Sequence, residues 1–182
     1  NDPDAGSWTY AYDDAGRLTS QTDAKSQTTT LTYDTQVGRL ATRVNAVGTV
    51  TYTYSQPRGS YSNKGRLTTL TSPADSLAID YDALGRVVKQ DRLIGTTHYV
   101  VTKTYGAASL VSIAYPDGDT VGPMQYDGAG RVSSVSGILT SVSYDALGRP
   151  LTQSNGNGTT TSWTYGDTRG FLTRIQTTGS AG

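Results

Sequence analysis

The stretch Tyr81-Asp82-Ala83-Leu84-Gly85-Arg86-Val87 decides the fold, because the chain repeats it. Clean copies begin at Tyr12, Tyr126 and Tyr144, and a copy at Tyr33 has one extra residue in its turn. Repetition of a short unit is the signature of a repeat architecture, in which each unit buries surface against its neighbours. The sequence therefore predicts an array of similar units.

Three further copies are degraded. A long insertion separates Tyr54 from Lys64-Gly65-Arg66-Leu67, and the copy at Tyr165 keeps its glycine but replaces the arginine. The gap before Tyr126 has room for one more copy, which we assign to Tyr105-Gly106 and the stretch Ser109–Tyr115. These copies extend the array over nearly the entire chain.

Each unit is predicted to be a β-hairpin. Residues alternate before each Tyr-Asp pair, as in Trp8, Tyr10 and Tyr12, and a period of two is typical of a strand with one buried face. Aspartate suits the first position of a type I turn, because its carboxylate accepts backbone N–H groups two residues on. Glycine supplies the positive φ of the bulge that follows such a turn. The residues assigned this structural role are Tyr12, Asp13, Gly16, Arg17, Tyr33, Asp34, Gly38, Arg39, Tyr81, Asp82, Gly85, Arg86, Tyr126, Asp127, Gly130, Arg131, Tyr144, Asp145, Gly148 and Arg149.

Polar turns such as Asn155-Gly156-Asn157-Gly158 close the far ends of the hairpins, so the chain is an antiparallel meander. A long open sheet curls, closes or stacks. The predicted fold is therefore all-β, with tandem antiparallel β-hairpin repeats that form a curved or spiralling sheet, such as a barrel-like wall. We expect residues 1–182 to be a single array of about eight hairpins, a fragment of a longer wall of repeats. The segment 1–6 is interpreted as an inter-repeat turn.

Composition supports this class. Hydrophobic residues make up 35% and charged residues 16%, but 13 Tyr and 2 Trp are too many aromatics for a disordered chain. The formal net charge is +0, so no long-range field favours nucleic acid or an anionic membrane, and no apolar run is long enough for membrane insertion. The chain has no cysteine, which excludes disulfides and thiolate metal sites.

The repeat resembles the YD repeat of the Rhs family, whose pattern is Tyr-Asp-x-x-Gly-Arg-Leu. Tyr115-Pro116-Asp117-Gly118 is similar to a Tyr-Pro-Asp-Gly variant of that family. The resemblance implies a β-sheet that spirals into a large hollow shell, so that this chain would be a segment of a hollow shell and a fragment of a longer repeat shell. In bacterial Rhs proteins and related toxin-complex subunits such a shell encloses a C-terminal toxin, and in teneurins of animals a similar barrel displays receptor-binding domains. Bacterial members often carry an autoproteolytic core with catalytic aspartates, which this sequence does not match.

Three groups of motif residues have an alternative interpretation. Asp13-Asp14 and Asp117-Gly118-Asp119 could be metal ligands, but they lack the spacing and the bidentate glutamate of a calcium loop. The arginines could bind an anionic ligand, although pairing with the turn aspartates or packing on tyrosine is favoured. The tyrosines could be a sugar-stacking platform, although a structural ladder from hairpin to hairpin is favoured.

The sequence thus predicts a non-enzymatic shell segment with no catalytic, cofactor-binding or metal residues. His98 is the single histidine and sits in a strand-like run, which leaves little material for a catalytic triad. The expected partners are further YD repeats of the same parent chain, an enclosed toxin polypeptide and glycans. By resemblance the expected location is secreted or at a bacterial cell surface. The alternative function is a cell-surface adhesion or carbohydrate-binding repeat module.

Overall fold

The computed structural model describes residues 6–179, and seventeen β-strands make up the regular structure in that range. None of the described residues belongs to a helix that could cross a membrane. The strands are β1 Thr9–Tyr12, β2 Leu18–Thr22, β3 Thr28–Tyr33, β4 Leu40–Asn45, β5 Gly48–Tyr54, β6 Leu67–Thr71, β7 Asp75–Tyr81, β8 Val87–Ile94, β9 Thr97–Tyr105, β10 Leu110–Ala114, β11 Thr120–Val121, β12 Met124–Tyr126, β13 Val132–Val135, β14 Leu139–Tyr144, β15 Pro150–Asn155, β16 Thr160–Tyr165 and β17 Leu172–Thr178.

The chain divides into two compact units, one up to Val101 and one from Thr102. In the first unit, β1 to β8 pair antiparallel in chain order. In the second unit, β10 pairs with the second half of β9 and with β11, and β12 to β17 pair antiparallel in chain order. The predicted all-β fold of antiparallel hairpins is confirmed. That residues 1–182 form one array stays a prediction, and the turn assigned to 1–6 lies outside the described residues except for Gly6.

The hairpin turns have the geometry that the motif predicts. In the turn between β12 and β13, the Gly130 N–H donates to the Asp127 carbonyl at 3.0 Å, and the Asp127 N–H donates to the Arg131 carbonyl at 2.8 Å. Gly130 has φ 78°, in the left-handed region that residues with a Cβ avoid. This is a type I turn followed by a glycine bulge, and it twists the two strands in the direction that the sheet requires.

The sheets have no fully buried apolar side chain among the described residues; the buried side chains are those of Asn63, Thr68 and Asp80. Half-buried and exposed residues alternate along β3, whereas β2 is half-buried throughout. The predicted alternation therefore holds in part, but it does not create a sealed core. Backbone pairing and polar side-chain contacts must supply much of the stability.

Threonine hydroxyls join neighbouring strands on one face of the sheet. Thr22 and Thr28 are 2.9 Å apart at their hydroxyl oxygens, and Thr32 and Thr42 are 2.7 Å apart. These pairs lie directly opposite each other in register. Cross-strand Thr pairs of this kind stabilise sheets by a few tenths of a kcal/mol each, roughly 0.2–1, and they explain the threonine-rich composition.

Two glycines of one turn give a matched test of the bulge. Gly130 and Gly128 both have open space around the position of a Cβ, but only Gly130 has a positive φ. We expect Gly130→Ala to lower the free energy of unfolding by about 1–2 kcal/mol, the cost of a left-handed residue with a Cβ. Gly128→Ala should be neutral or slightly stabilising, because it restricts the unfolded chain. Urea unfolding measures both; equal effects would show that the turn does not have this geometry.

Candidate functional site

The turn aspartate binds both the backbone and the arginine of its own repeat. Asp82 Oδ1 accepts hydrogen bonds from the Leu84 N–H at 3.0 Å and the Arg86 N–H at 2.9 Å, while its Oδ2 accepts one from Arg86 Nε at 2.7 Å. The carboxylate thus closes the turn and fixes the direction of the guanidinium. The same Asp–Arg ion pair forms in four other repeats, between Asp13 and Arg17, Asp34 and Arg39, Asp127 and Arg131, and Asp145 and Arg149.

These hydrogen bonds lower the pKa of the turn aspartates. At Asp13 and Asp127 the largest cause is the backbone N–H four residues on, and at Asp34 it is the Val37 N–H. At Asp82 and Asp145 the largest single effect is partial burial, which raises the pKa. The hydrogen bonds from the arginine backbone and side chain together outweigh it, so the pKa is lowered. Each carboxylate is therefore held in its charged form.

The arginine of one repeat lies over the tyrosine of the next. The Arg39 guanidinium carbon is 4.3 Å from the centre of the Tyr54 ring, and Arg149 is 4.2 Å from the centre of the Tyr165 ring. Three other pairs have the same arrangement: Arg17 over Tyr33, Arg66 over Tyr81 and Arg131 over Tyr144. A cation at this distance is attracted by the ring face. Each arginine thus connects its own turn to the following hairpin.

The tyrosine hydroxyl completes the connection. Tyr54 donates to the Leu40 carbonyl at 3.0 Å, and Leu40 is the first residue after Arg39. In each of six such bonds the acceptor is the residue that opens the return strand of the preceding repeat. The other five pairs are Tyr33 with Leu18, Tyr81 with Leu67, Tyr126 with Leu110, Tyr144 with Val132 and Tyr165 with Pro150. We call the Arg–Tyr contact together with this hydrogen bond the joint between repeats.

The turn glycine also takes part in the joint. A Cβ on Gly38 would lie 2.7 Å from a guanidinium nitrogen of Arg17, and one on Gly170 would lie 2.6 Å from that of Arg149. At Gly130 the space is open, and the preceding repeat has Ser109 where most other repeats have arginine. Glycine at this position therefore serves the turn and, in most repeats, leaves room for the arginine of the repeat before it.

The tyrosine ladder is built differently from direct ring stacking. Successive motif tyrosines are two strands apart, and at about 4.8 Å per strand their rings lie roughly 10 Å from each other. Contact between rings needs centroids within about 7 Å. An arginine side chain lies between successive tyrosine rings, so the ladder consists of arginine–tyrosine contacts. Trp8 and Tyr10 do stack directly, but they lie outside the motif positions.

The insertion after Tyr54 forms a polar cluster that the repeat pattern did not predict. Asp80 is 3% exposed, and its Oδ1 accepts hydrogen bonds from Arg58 Nε at 2.7 Å and Asn63 Nδ2 at 2.8 Å. Arg58 also donates to the Thr68 and Ile79 carbonyls. The insertion thereby attaches to β6 and β7. The one sequence signal for it is an aspartate directly before a motif tyrosine.

The same insertion changes one joint. Its turn has no aspartate to pair with Arg66, and Arg66 Nε is buried without a hydrogen-bond partner in the described part of the chain. Arg66 lies 5.3 Å from the centre of the Tyr81 ring, whereas Arg17, Arg39, Arg131 and Arg149 lie 4.2–4.7 Å from their ring centres. In the repeats that have it, the turn aspartate therefore positions the arginine side chain as well as closing the turn.

The remaining candidate residues have local partners. Asp117 accepts the Asp119 N–H at 3.0 Å, the turn-forming role that was favoured over metal binding. His98 Nδ1 and Asp91 Oδ1 are 2.7 Å apart across β8 and β9. Residues 6–179 contain no group of three or more His, Cys, Asp or Glu side chains placed to hold a metal ion.

The comparisons with known proteins agree with this architecture. The family model described as RHS Repeat matches residues 1–28, 12–50, 126–160 and 144–181, more than half of the chain. A solved TcdB2-TccC3-Cdc42 structure aligns with a TM-score of 0.83 at 20% identity and covers 96% of this chain. A structure of the Photorhabdus luminescens Tc holotoxin pore aligns with a TM-score of 0.85 at 21% identity and covers 98%. In each case the chain spans 10% of the length of the solved chain, so the likeness concerns the fold. No curated protein matches the sequence.

Tyr54 and Tyr52 of β5 test the joint. The Tyr54 hydroxyl bonds to Leu40, whereas the Tyr52 hydroxyl has no hydrogen bond among the described residues. We expect Tyr54→Phe to lower the free energy of unfolding by about 0.5–1.5 kcal/mol, because a hydrogen bond is lost and the ring is kept. Tyr52→Phe should change it by less than about 0.5 kcal/mol. Urea unfolding of both variants checks this, and an equal loss would contradict the joint.

The lowered aspartate pKa values predict loss of stability in acid. The pKa in the folded state lies below the ordinary 3.8, so the stabilisation is fully present above that pH and is lost as pH falls through the lowered values. The urea midpoint should therefore fall from pH 4 downward.

A triple variant with Asp82→Asn, Asp127→Asn and Asp145→Asn should be less stable at pH 7, and its stability should change less with pH. Asp14→Asn is the control and should keep the parent's profile; a triple variant with that same profile would refute this assignment.

Proposed function

Because the chain belongs to the RHS repeat family, we propose that it is a structural segment of a shell that encloses a toxin or another C-terminal polypeptide. The joint between repeats carries this proposal. Five Asp–Arg ion pairs and six Tyr–carbonyl hydrogen bonds use the polar groups of the motif to connect each hairpin to its neighbours. Polar groups that are engaged in this way favour a structural role over chemistry on a substrate.

The burial pattern also supports a wall. An ordinary domain buries one apolar face and exposes the other, whereas here the strands keep partly accessible side chains on both faces and no apolar side chain of the described residues is buried. A sheet with two accessible faces suits a partition between an enclosed space and solvent. The likeness in fold to one tenth of the much longer TcdB2-TccC3 and Tc holotoxin chains agrees with a segment of such a partition.

The segment acts mechanically, without a catalytic residue, by isolating the cargo until release. Its partners are further repeats of the parent chain and the enclosed polypeptide. Since shells of this kind deliver cargo to other cells, the expected location is secreted or at the cell surface.

One observation favours the second candidate, a carbohydrate-binding surface. Trp8 and Tyr10 stack at a centroid distance of 6.4 Å, and they are 42% and 54% exposed. Exposed aromatic rings can pack on sugar rings. Glycan-array binding by this chain that is lost in Trp8→Ala and Tyr10→Ala, and kept in Tyr54→Phe, would favour the adhesion module.

The enclosure test uses the full-length parent protein and limited proteolysis. We expect the polypeptide that follows the repeats to resist protease. Removing two joints with Arg39→Ala and Arg131→Ala should open the wall and expose that polypeptide, while Arg43→Ala, which changes an arginine in mid-strand, should not. Circular dichroism verifies that the variants retain their β-structure. Equal protease sensitivity of the cargo in the parent and in the joint variant would refute enclosure.

A further inference from the structure

The backbone ladder between neighbouring repeats ends before the strands reach the motif tyrosine. Between β6 and β7, Thr69 and Ala78 are the last directly opposed residues, so Thr68 and Ile79 lie just beyond the ladder. The ladders between β2 and β3 and between β15 and β16 end at the corresponding positions. Carbonyl groups beyond the ladder need hydrogen-bond donors other than the opposite strand.

Arg58 of the insertion supplies those donors between β6 and β7. A guanidinium has five N–H donors in a planar fork, and each donor of Arg58 has an acceptor. The Nη2 atom donates to two main-chain carbonyls, Nη1 to two side-chain oxygens and Nε to a carboxylate. In that order, the acceptors are the Thr68 carbonyl at 2.7 Å, the Ile79 carbonyl at 2.8 Å, Gln56 Oε1 at 3.2 Å, Thr69 Oγ1 at 3.2 Å and Asp80 Oδ1 at 2.7 Å.

The strands build most of this site. Four of the five acceptors belong to β6 and β7, and only Gln56 belongs to the insertion. Asp80 is 3% exposed, and a carboxylate buried to this extent is costly unless a cation pairs with it. The residue before the motif tyrosine is uncharged in the other repeats, for example Thr32 and Ser143. Asp80 therefore makes this position suitable for a guanidinium.

A second group of contacts holds the insertion on β7. Asn63 Nδ2 donates to Asp80 Oδ1 at 2.8 Å, and Asn63 Oδ1 accepts the Tyr81 N–H at 3.1 Å. The Ser62 N–H donates to the Tyr81 carbonyl at 2.8 Å. The insertion thus pairs with the end of β7 that the ladder with β6 leaves open, and Arg58 connects it to both strands.

We propose that β6 and β7 form a guanidinium-binding site, which Arg58 occupies from within the same chain. Residues 55–64 then act as a latch that connects two repeats. The chemical class of ligand is an alkylguanidinium, the side chain of arginine. The latch compensates for the turn of this repeat, which has no aspartate to hold Arg66. The inference does not depend on the shell role proposed above.

Chemical rescue tests the site. Arg58→Gly should lower the melting temperature by roughly 6–20 °C, because Asp80 loses its partner in a buried ion pair. Guanidinium chloride at about 20 mM is too dilute to denature the protein. It should recover part of the lost melting temperature by binding in place of the arginine side chain. Ammonium chloride at the same concentration should recover little, since ammonium lacks the planar fork.

Two control variants connect the rescue to this site. Guanidinium should have no effect on the double variant Arg58→Gly with Asp80→Asn, because the carboxylate has been removed. It should also have no effect on Arg43→Gly, which removes an exposed arginine outside the cluster.

Arg58→Lys keeps the charge but not the fork, and it serves where Arg58→Gly does not fold. Its melting temperature should lie below that of the parent, since one ammonium group cannot reach all five acceptors. The proposal is overturned if guanidinium does not rescue Arg58→Gly, if ammonium rescues it equally, or if rescue persists without Asp80. An Arg58→Lys variant as stable as the parent would also overturn it.

Discussion

The structure depends on where each turn places its arginine. Asp82 holds Arg86 through Nε and closes the turn through its second oxygen, and the same arrangement in the other clean repeats directs the guanidinium toward the next hairpin. There the guanidinium meets the face of a tyrosine whose hydroxyl binds the strand that follows the arginine. A turn formed by residues close in sequence thereby fixes a contact between repeats. The array is built by repeating this combination of the Asp–Arg pair and the Arg–Tyr contact.

Each of the interactions that connect the repeats is weak by itself. A partly exposed ion pair contributes up to about 1 kcal/mol, a cation over a ring about 0.5–1, and a hydroxyl–carbonyl hydrogen bond about 0.5–1.5. Since no apolar side chain of the described residues is fully buried, these increments matter more here than in a domain with a sealed core. Stability in such an array is close to a sum of repeat and neighbour terms. The buried Asp80 cluster is an exception, because it concentrates a charged network at one insertion.

Much of the architecture could be predicted from the sequence. The recurring Tyr-Asp-x-x-Gly-Arg predicted the hairpins, the turn role of Asp127 and the positive φ of Gly130, since these depend on a few adjacent residues. Contacts between repeats were harder to predict, because the pattern does not say that Arg39 crosses to Tyr54 rather than staying on its own strand. The Arg58–Asp80 pair was missed for the same reason: it joins residues of an irregular insertion to a strand beyond the next one. Alternation usually implies a buried apolar face, yet no apolar side chain among residues 6–179 is fully buried.

The most direct test of this account is a double-mutant cycle between Arg39 and Tyr54, measured by urea unfolding. The single variants Arg39→Ala and Tyr54→Ala and their combination isolate the energy of the contact from the Asp34 ion pair. The account predicts a coupling of about 0.5–1 kcal/mol, and a coupling near zero for the distant pair of Arg39 with Tyr81. A coupling near zero between Arg39 and Tyr54 would contradict the claim that arginine joins one repeat to the next.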